Sequence, residues 1–150
     1  MNKNYSIIGG IIGFLVLIGL FGLFIGGSYN SLVGAQTKVE QAQSKIETTL
    51  QRRYDLIPNV VNSVKGYMKH ESDIFEHIAD ARAKIGSSTA TKAEKEQAQG
   101  ELDSAISRLL VVQENYPQLK ADQQVQNLIT ELEGTENRIF VARNDYNAVA

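Results

Sequence analysis

A chain of 150 residues is long enough for one modest domain, and 15 basic against 17 acidic side chains leave it near neutrality, with a formal charge of −2. That balance excludes the polybasic surface of a nucleic-acid binder and the acidic tail that would seek a basic partner. With no cysteine in the chain, a disulfide framework, a thiolate nucleophile and a cysteine zinc site are excluded as well.

The first element is apolar. No charge occurs from Asn4 through Thr37, and the stretch from Ile7 to Gly27 reads IIGGIIGFLVLIGLFGLFIGG. As a helix rising about 1.5 Å per residue, that stretch crosses a hydrocarbon layer of about 30 Å. A cleaved secretory signal is the rival, but its apolar core is shorter and ends in a small-residue cleavage site, for which GGSYNSLVGA is a poor match. The expectation is a short tail and retained single-pass anchor over residues 1–28, a soluble body over 29–150, and the lipid bilayer as a partner through residues 7–27. Gly9 and Gly13, and again Gly22 and Gly26, are spaced for two such helices to approach closely, which would make a homo-oligomer. Lys3 on one flank and Lys38, Lys45, Arg52 and Arg53 on the other leave both orientations open.

The remainder predicts helices and no strands, because apolar residues recur at three and four and never alternate at two. Leu32, Ala35, Val39, Ala42, Ile46, Leu50 and Tyr54 form the first stripe. Pro58 fits the opening turn of a second helix, which places a joint at Leu56 and Ile57 with Asp55 as cap. The second stripe runs Ile57, Val60, Val64, Tyr67, Glu71, Ile74, Ile78, Ala81 and Ile85. The segment GSSTAT from Gly86 stops that helix and supplies a Ser or Thr cap for the next. Ala98, Leu102, Ala105, Leu109, Val112 and Tyr116 mark the third helix, which Pro117 ends; Val125, Leu128, Leu132, Thr135, Ile139, Ala142, Tyr146 and Val149 mark the fourth. Short connections make sequential helices antiparallel neighbours, so the expected fold is all-α: an N-terminal transmembrane helix followed by an antiparallel up-and-down four-helix bundle.

Two polar clusters are candidates for chemistry. His70, Asp73, His77 and Asp80 would share one face of the second helix, and a metal-dependent enzyme or metal sensor built there is the competing functional reading. Zinc proteases, however, need two histidines four apart around a glutamate, and di-iron bundles need repeated Glu-x-x-His; neither unit occurs. A solvated polar face explains the spacing as well, and no catalytic residue, metal ligand or cofactor is assigned. The second cluster, EGTENRIFVARNDYN from Glu133, surrounds an apolar stripe with Asn137, Arg138, Arg143 and Asn144. Arg138 and Arg143 are expected to pair with carboxylates on neighbouring helices, with Asp55 and Glu71 as candidates.

The segments RRYDLIPNVVNSVKGYMKHE and ENRIFVARNDYN, behind a single N-terminal span, resemble the LemA family of bacterial membrane proteins over nearly the whole chain. The resemblance implies a helical bundle and no established catalytic activity. The residues that match the family pattern are Arg53, Asp55, Pro58, Asn59, Lys65, Gly66 and Tyr67, with Asn137, Arg138, Arg143, Tyr146 and Asn147. Glu71 joins them as a member of the expected inter-helix network. Family members usually continue past the YN pair, so a C-terminal truncation is expected. Anchor, bundle and the absence of an assembled catalytic set together predict a non-catalytic interaction or scaffold module at the bacterial inner membrane, with a protein partner.

Overall fold

The computed structural model describes the backbone of residues 2–150 and the side chains from Ser6 onward. Five α-helices follow in chain order: α1 Asn2–Val64, α2 Ser72–Gly86, α3 Lys92–Val112, α4 Pro117–Ala121 and α5 Gln123–Val149, with one 3-10 turn at Gln113–Asn115. No strand occurs among the described residues. At 63 residues, α1 is about 95 Å long and joins the apolar run to the bundle without a break.

Four long helices surround one core in two antiparallel pairs, α1 with α5 and α2 with α3. The direction of the first pair is shown by Lys45 meeting Asp145 and Tyr67 meeting Asp122. The core draws on every helix: Leu56, Ile57, Val60 and Val64 from α1, Ile74 and Ile78 from α2, Leu102, Ile106 and Leu109 from α3, Leu119 from α4, and Val125, Ile129 and Leu132 from α5. The helices fold this way because each carries its apolar residues on one stripe and has no other way to remove it from water. Towards the apolar N-terminal segment, α1 and α5 continue as a narrower pair in which Val39, Ala42 and Ile46 are only half covered. Residues 6–38 of α1 are exposed throughout.

The connections show local sequence logic. Thr91 caps α3 by accepting from the Glu94 amide at 3.2 Å, while Glu94 accepts from the Thr91 amide at 2.7 Å, a reciprocal capping box. The Thr91 amide first, and the Thr91 hydroxyl donating to the same carboxylate at 2.8 Å second, hold the Glu94 carboxyl below its ordinary range. Pro117 ends the third segment as expected and then opens α4 at its first position, where its missing N–H has no partner to lose.

Two expectations are corrected. Pro58 lies inside α1, half-buried, and Leu56 and Ile57 are core residues of a continuous helix rather than a joint. Asp55 accordingly caps nothing; it sits exposed and accepts from the Gln51 amide at 2.9 Å. The break falls instead at residues 65–71, around Gly66, so the second stripe is shared between the end of α1 and α2. The fourth stripe lies on α5 as expected, and the short α4 precedes it, separated at Asp122.

Candidate functional site

The most unusual group in the bundle is a charge in its interior. Arg53 is one turn before Leu56 and Ile57, on the inward stripe of α1, and its side chain is 0% exposed. A guanidinium removed from water needs partners on most of its N–H groups. Its Nη1 donates to Asp103 of α3 and to both carboxylate oxygens of Glu136 of α5, at 3.0 and 3.2 Å; its Nη2 donates to the Gln99 side chain of α3. Nε alone has no partner among the described residues. Asp103 also accepts from Arg143 Nη1 of α5 at 3.3 Å, so two cations and two carboxylates close a cluster across α1, α3 and α5.

Burial outweighs pairing at Glu136. Desolvation raises its carboxyl above the ordinary value; the Arg53 charge and bond, which lower it, do not fully compensate, and Asp103 adds repulsion. The next residue brings in the remaining helix. The Tyr54 ring carries the Arg82 guanidinium of α2 at 4.3 Å from its centroid, and a Cβ placed on Gly86 would lie 2.6 Å from the Tyr54 hydroxyl oxygen. One layer at residues 53–54 therefore touches α2, α3 and α5.

A second set of polar contacts closes the far end, in the turn beyond Val64, where α1 ends eleven residues or about 16 Å past Arg53. Tyr67 donates to Asp122 Oδ2 at 2.8 Å, and the same carboxylate caps α5 by accepting from the amides of Gln124 and Val125 at 3.0 and 3.3 Å. The Tyr67 bond, ahead of the two amides, holds the Asp122 carboxyl low; the same bond raises the Tyr67 hydroxyl. Tyr116 donates to Glu71 at 3.1 Å, and its own hydroxyl is raised, by burial first and by that bond second.

The structure brings some of the expected residues together and leaves others apart. Arg53 and Arg143 share a cluster, but their partners are Asp103 and Glu136 rather than Asp55 and Glu71. Tyr67 and Glu71 belong to the far-end contacts. Pro58 and Tyr146 are half-buried; Asn59, Lys65, Gly66, Asn137, Arg138 and Asn147 are exposed. The common face for His70, Asp73, His77 and Asp80 does not form, because His70 lies in the turn before α2 and not on it. His77 Nδ1 meets the Asp73 carbonyl at 2.7 Å, and no group of three potential ligands is poised for a metal ion among the described residues.

Asp103, Glu136 and Gln99 were not singled out by sequence reasoning. Their signal was positional: each is adjacent to a core residue on its helix, Leu102, Thr135 and Ala98 respectively, and so borders the interior.

An apolar N-terminal helix long enough to cross a membrane, continued without interruption into an all-helical bundle, defines the class of protein. The LemA family model matches residues 42–150, and the chain belongs to the LemA family. Protein LemA of Metamycoplasma hominis is 27% identical over 140 residues, covering 93% of this chain and 64% of that protein. Magnetosome protein MamQ 2 of Paramagnetospirillum magneticum is 27% identical over 147 residues, and Magnetosome protein MamQ of Magnetospirillum gryphiswaldense 26% over 148; each alignment covers 81% of this chain and 54% of the relative. The chain thus spans 54% to 64% of the length of these curated relatives.

Proposed function

We propose that the protein is a non-catalytic interaction or scaffold module held at the bacterial cell membrane by a single pass through residues 7–27. The observation that carries this reading is the continuity of α1: the exposed apolar segment and the core stripe of the bundle are one helix. A break between them would make the anchor a tether; a continuous helix makes it part of the body. The polar clusters fit structural roles, since their charged members bond to one another across helices and leave no nucleophile–base pair aimed at a cavity.

A protein partner is supported by the outer face of α5. Asn137, Phe140, Asn144 and Asn147 follow one another at three- and four-residue steps, Phe140 is 64% exposed, and the three amides make no side-chain hydrogen bond among the described residues. An exposed aromatic ringed by unused amides is suited to a protein surface.

Two measurements test the reading. The full chain should stay with membranes through an alkaline wash and leave them only in detergent; recovery in the soluble fraction would refute the anchor. A photo-crosslinking phenylalanine analogue at position 140 should give a discrete adduct with a protein or a second copy, and a complete absence of adducts in cells would refute the scaffold role.

A further inference from the structure

The exposed large apolar side chains of α1 extend further along the helix than a bilayer core requires. From Ile7 to Val33 is 27 residues, about 40 Å of helix, against about 30 Å of hydrocarbon. Tyr29, Leu32 and Val33 are 70%, 69% and 43% exposed, so no described residue covers them. A tilt of about 20° shortens the run only to about 38 Å. The excess therefore leaves the hydrocarbon, and its chemistry fixes where it goes. Lys3 and Lys38 are the charges that bracket the run, 35 residues or about 52 Å apart along the axis. Tilted, they match a bilayer of about 40–45 Å including headgroups to within a few Å. Residues between the hydrocarbon edge and Lys38 then lie among the headgroups. Tyr29 suits that depth, where an aromatic ring with a hydroxyl meets both phases.

We propose that residues 28–37 form a charge-free collar seated in the headgroup layer of a phospholipid bilayer, so that the membrane-facing end of the bundle rests on the lipid surface. The proposal rests on the anchor reading above. It also gives Val149 a neighbour. Val149 is 40% exposed and shares a surface depression with Ser31, Gly34, Ala35 and Lys38, which brings this turn of α5 down to the collar. A lipid occupant is favoured over water because the collar has no charge and leaves Tyr29, Leu32 and Val33 uncovered, and over a dedicated protein groove because the same uncharged helix runs on directly from the span.

The chain contains no tryptophan, so single reporters are unambiguous. Full-length Leu32→Trp, Leu17→Trp and Thr48→Trp variants are placed in phosphatidylcholine vesicles brominated either near the headgroup end of the acyl chain or near its tip. Leu32→Trp should lose intensity several-fold with the shallow label and little with the deep one, Leu17→Trp the reverse, and Thr48→Trp should be unaffected. If Leu17→Trp is quenched while Leu32→Trp behaves like Thr48→Trp, the collar stands in water: the seating fails and the anchor survives. Blue-shifted but unquenched Leu32→Trp emission would overturn the proposal in favour of a protein covering the collar. Deep quenching of Leu32→Trp would overturn it by moving the collar into the hydrocarbon. An unquenched Leu17→Trp refutes the anchor itself.

Discussion

Arg53 is the residue on which three helices converge, and removing it leaves Asp103 and Glu136 facing each other across the interior. Arg53→Ala should destabilise the bundle by about 3 kcal/mol, the lower end for breaking a buried pair, since both carboxylates keep some contact with water. Urea denaturation of the full chain in detergent, followed by circular dichroism, measures it. Glu136 gives a pH signature. Its carboxyl holds a proton more tightly in the folded state, so its contribution to stability is fully present below the ordinary carboxylate range and is lost as pH rises through the raised value. The denaturation midpoint of the parent should therefore fall relative to that of Glu136→Gln as pH is taken from about 4 to 7. Gly86→Ala tests the neighbouring layer. Its new methyl collides with the Tyr54 hydroxyl, so the change should destabilise the parent and be nearly silent in a Tyr54→Phe background. Sequence reasoning reached Arg53 through its motif but not its depth. An arginine on an apolar stripe reads equally as solvated until the facing acids are known, and those acids come from segments 50 and 83 residues away.

Among the elements, α1 shows how burial overrides a local breaker. Proline inside a helix costs about 3 kcal/mol, whereas each fully buried aliphatic side chain contributes about 1.5–3 kcal/mol. Leu56, Ile57, Val60 and Val64 all lie in the core around Pro58, so interrupting the helix there would disturb more than it relieved. The break falls at Gly66 because glycine is a poor helix former and the stretch KGYMKH needs only Tyr67 and Met68 placed inward. The stripes were legible because their spacing depends on the helix alone; the position of the joint was not, because it depends on what each helix packs against. Two glycines within helices make the converse case. A Cβ at Gly100 of α3 or Gly134 of α5 would meet nothing within 4 Å. Gly100→Ala and Gly134→Ala should each stabilise the protein by about 0.5–1 kcal/mol in the same urea titration. A loss at either position would mean that another molecule lies against that helix.

At the scale of the whole molecule, the apolar segment and the bundle share one continuous helix. Inserting Gly-Gly-Ser-Gly after Asn30 should leave the denaturation midpoint unchanged while sharply lowering the fluorescence anisotropy of a dye attached to the bundle in vesicles. Unchanged anisotropy would mean that the bundle is oriented by something other than α1. The all-helical fold and the long apolar segment were readable from periodicity and charge, which are properties of the sequence taken locally. The pairing of α1 with α5 and of α2 with α3, and the acids that meet Arg53, are products of assembly.

Under the proposed anchoring, an unbroken α1 would also act as a lever. Arg53 lies 26 residues beyond Gly27, about 39 Å along the axis, so leaning the membrane segment by about 10° swings the cluster sideways by about 7 Å. Bilayers of different thickness lean such a segment by different amounts. The outer face of α5, with Phe140 at its centre, would then be presented at an angle dictated by the lipid, and a change in membrane composition would be felt as a change of reach.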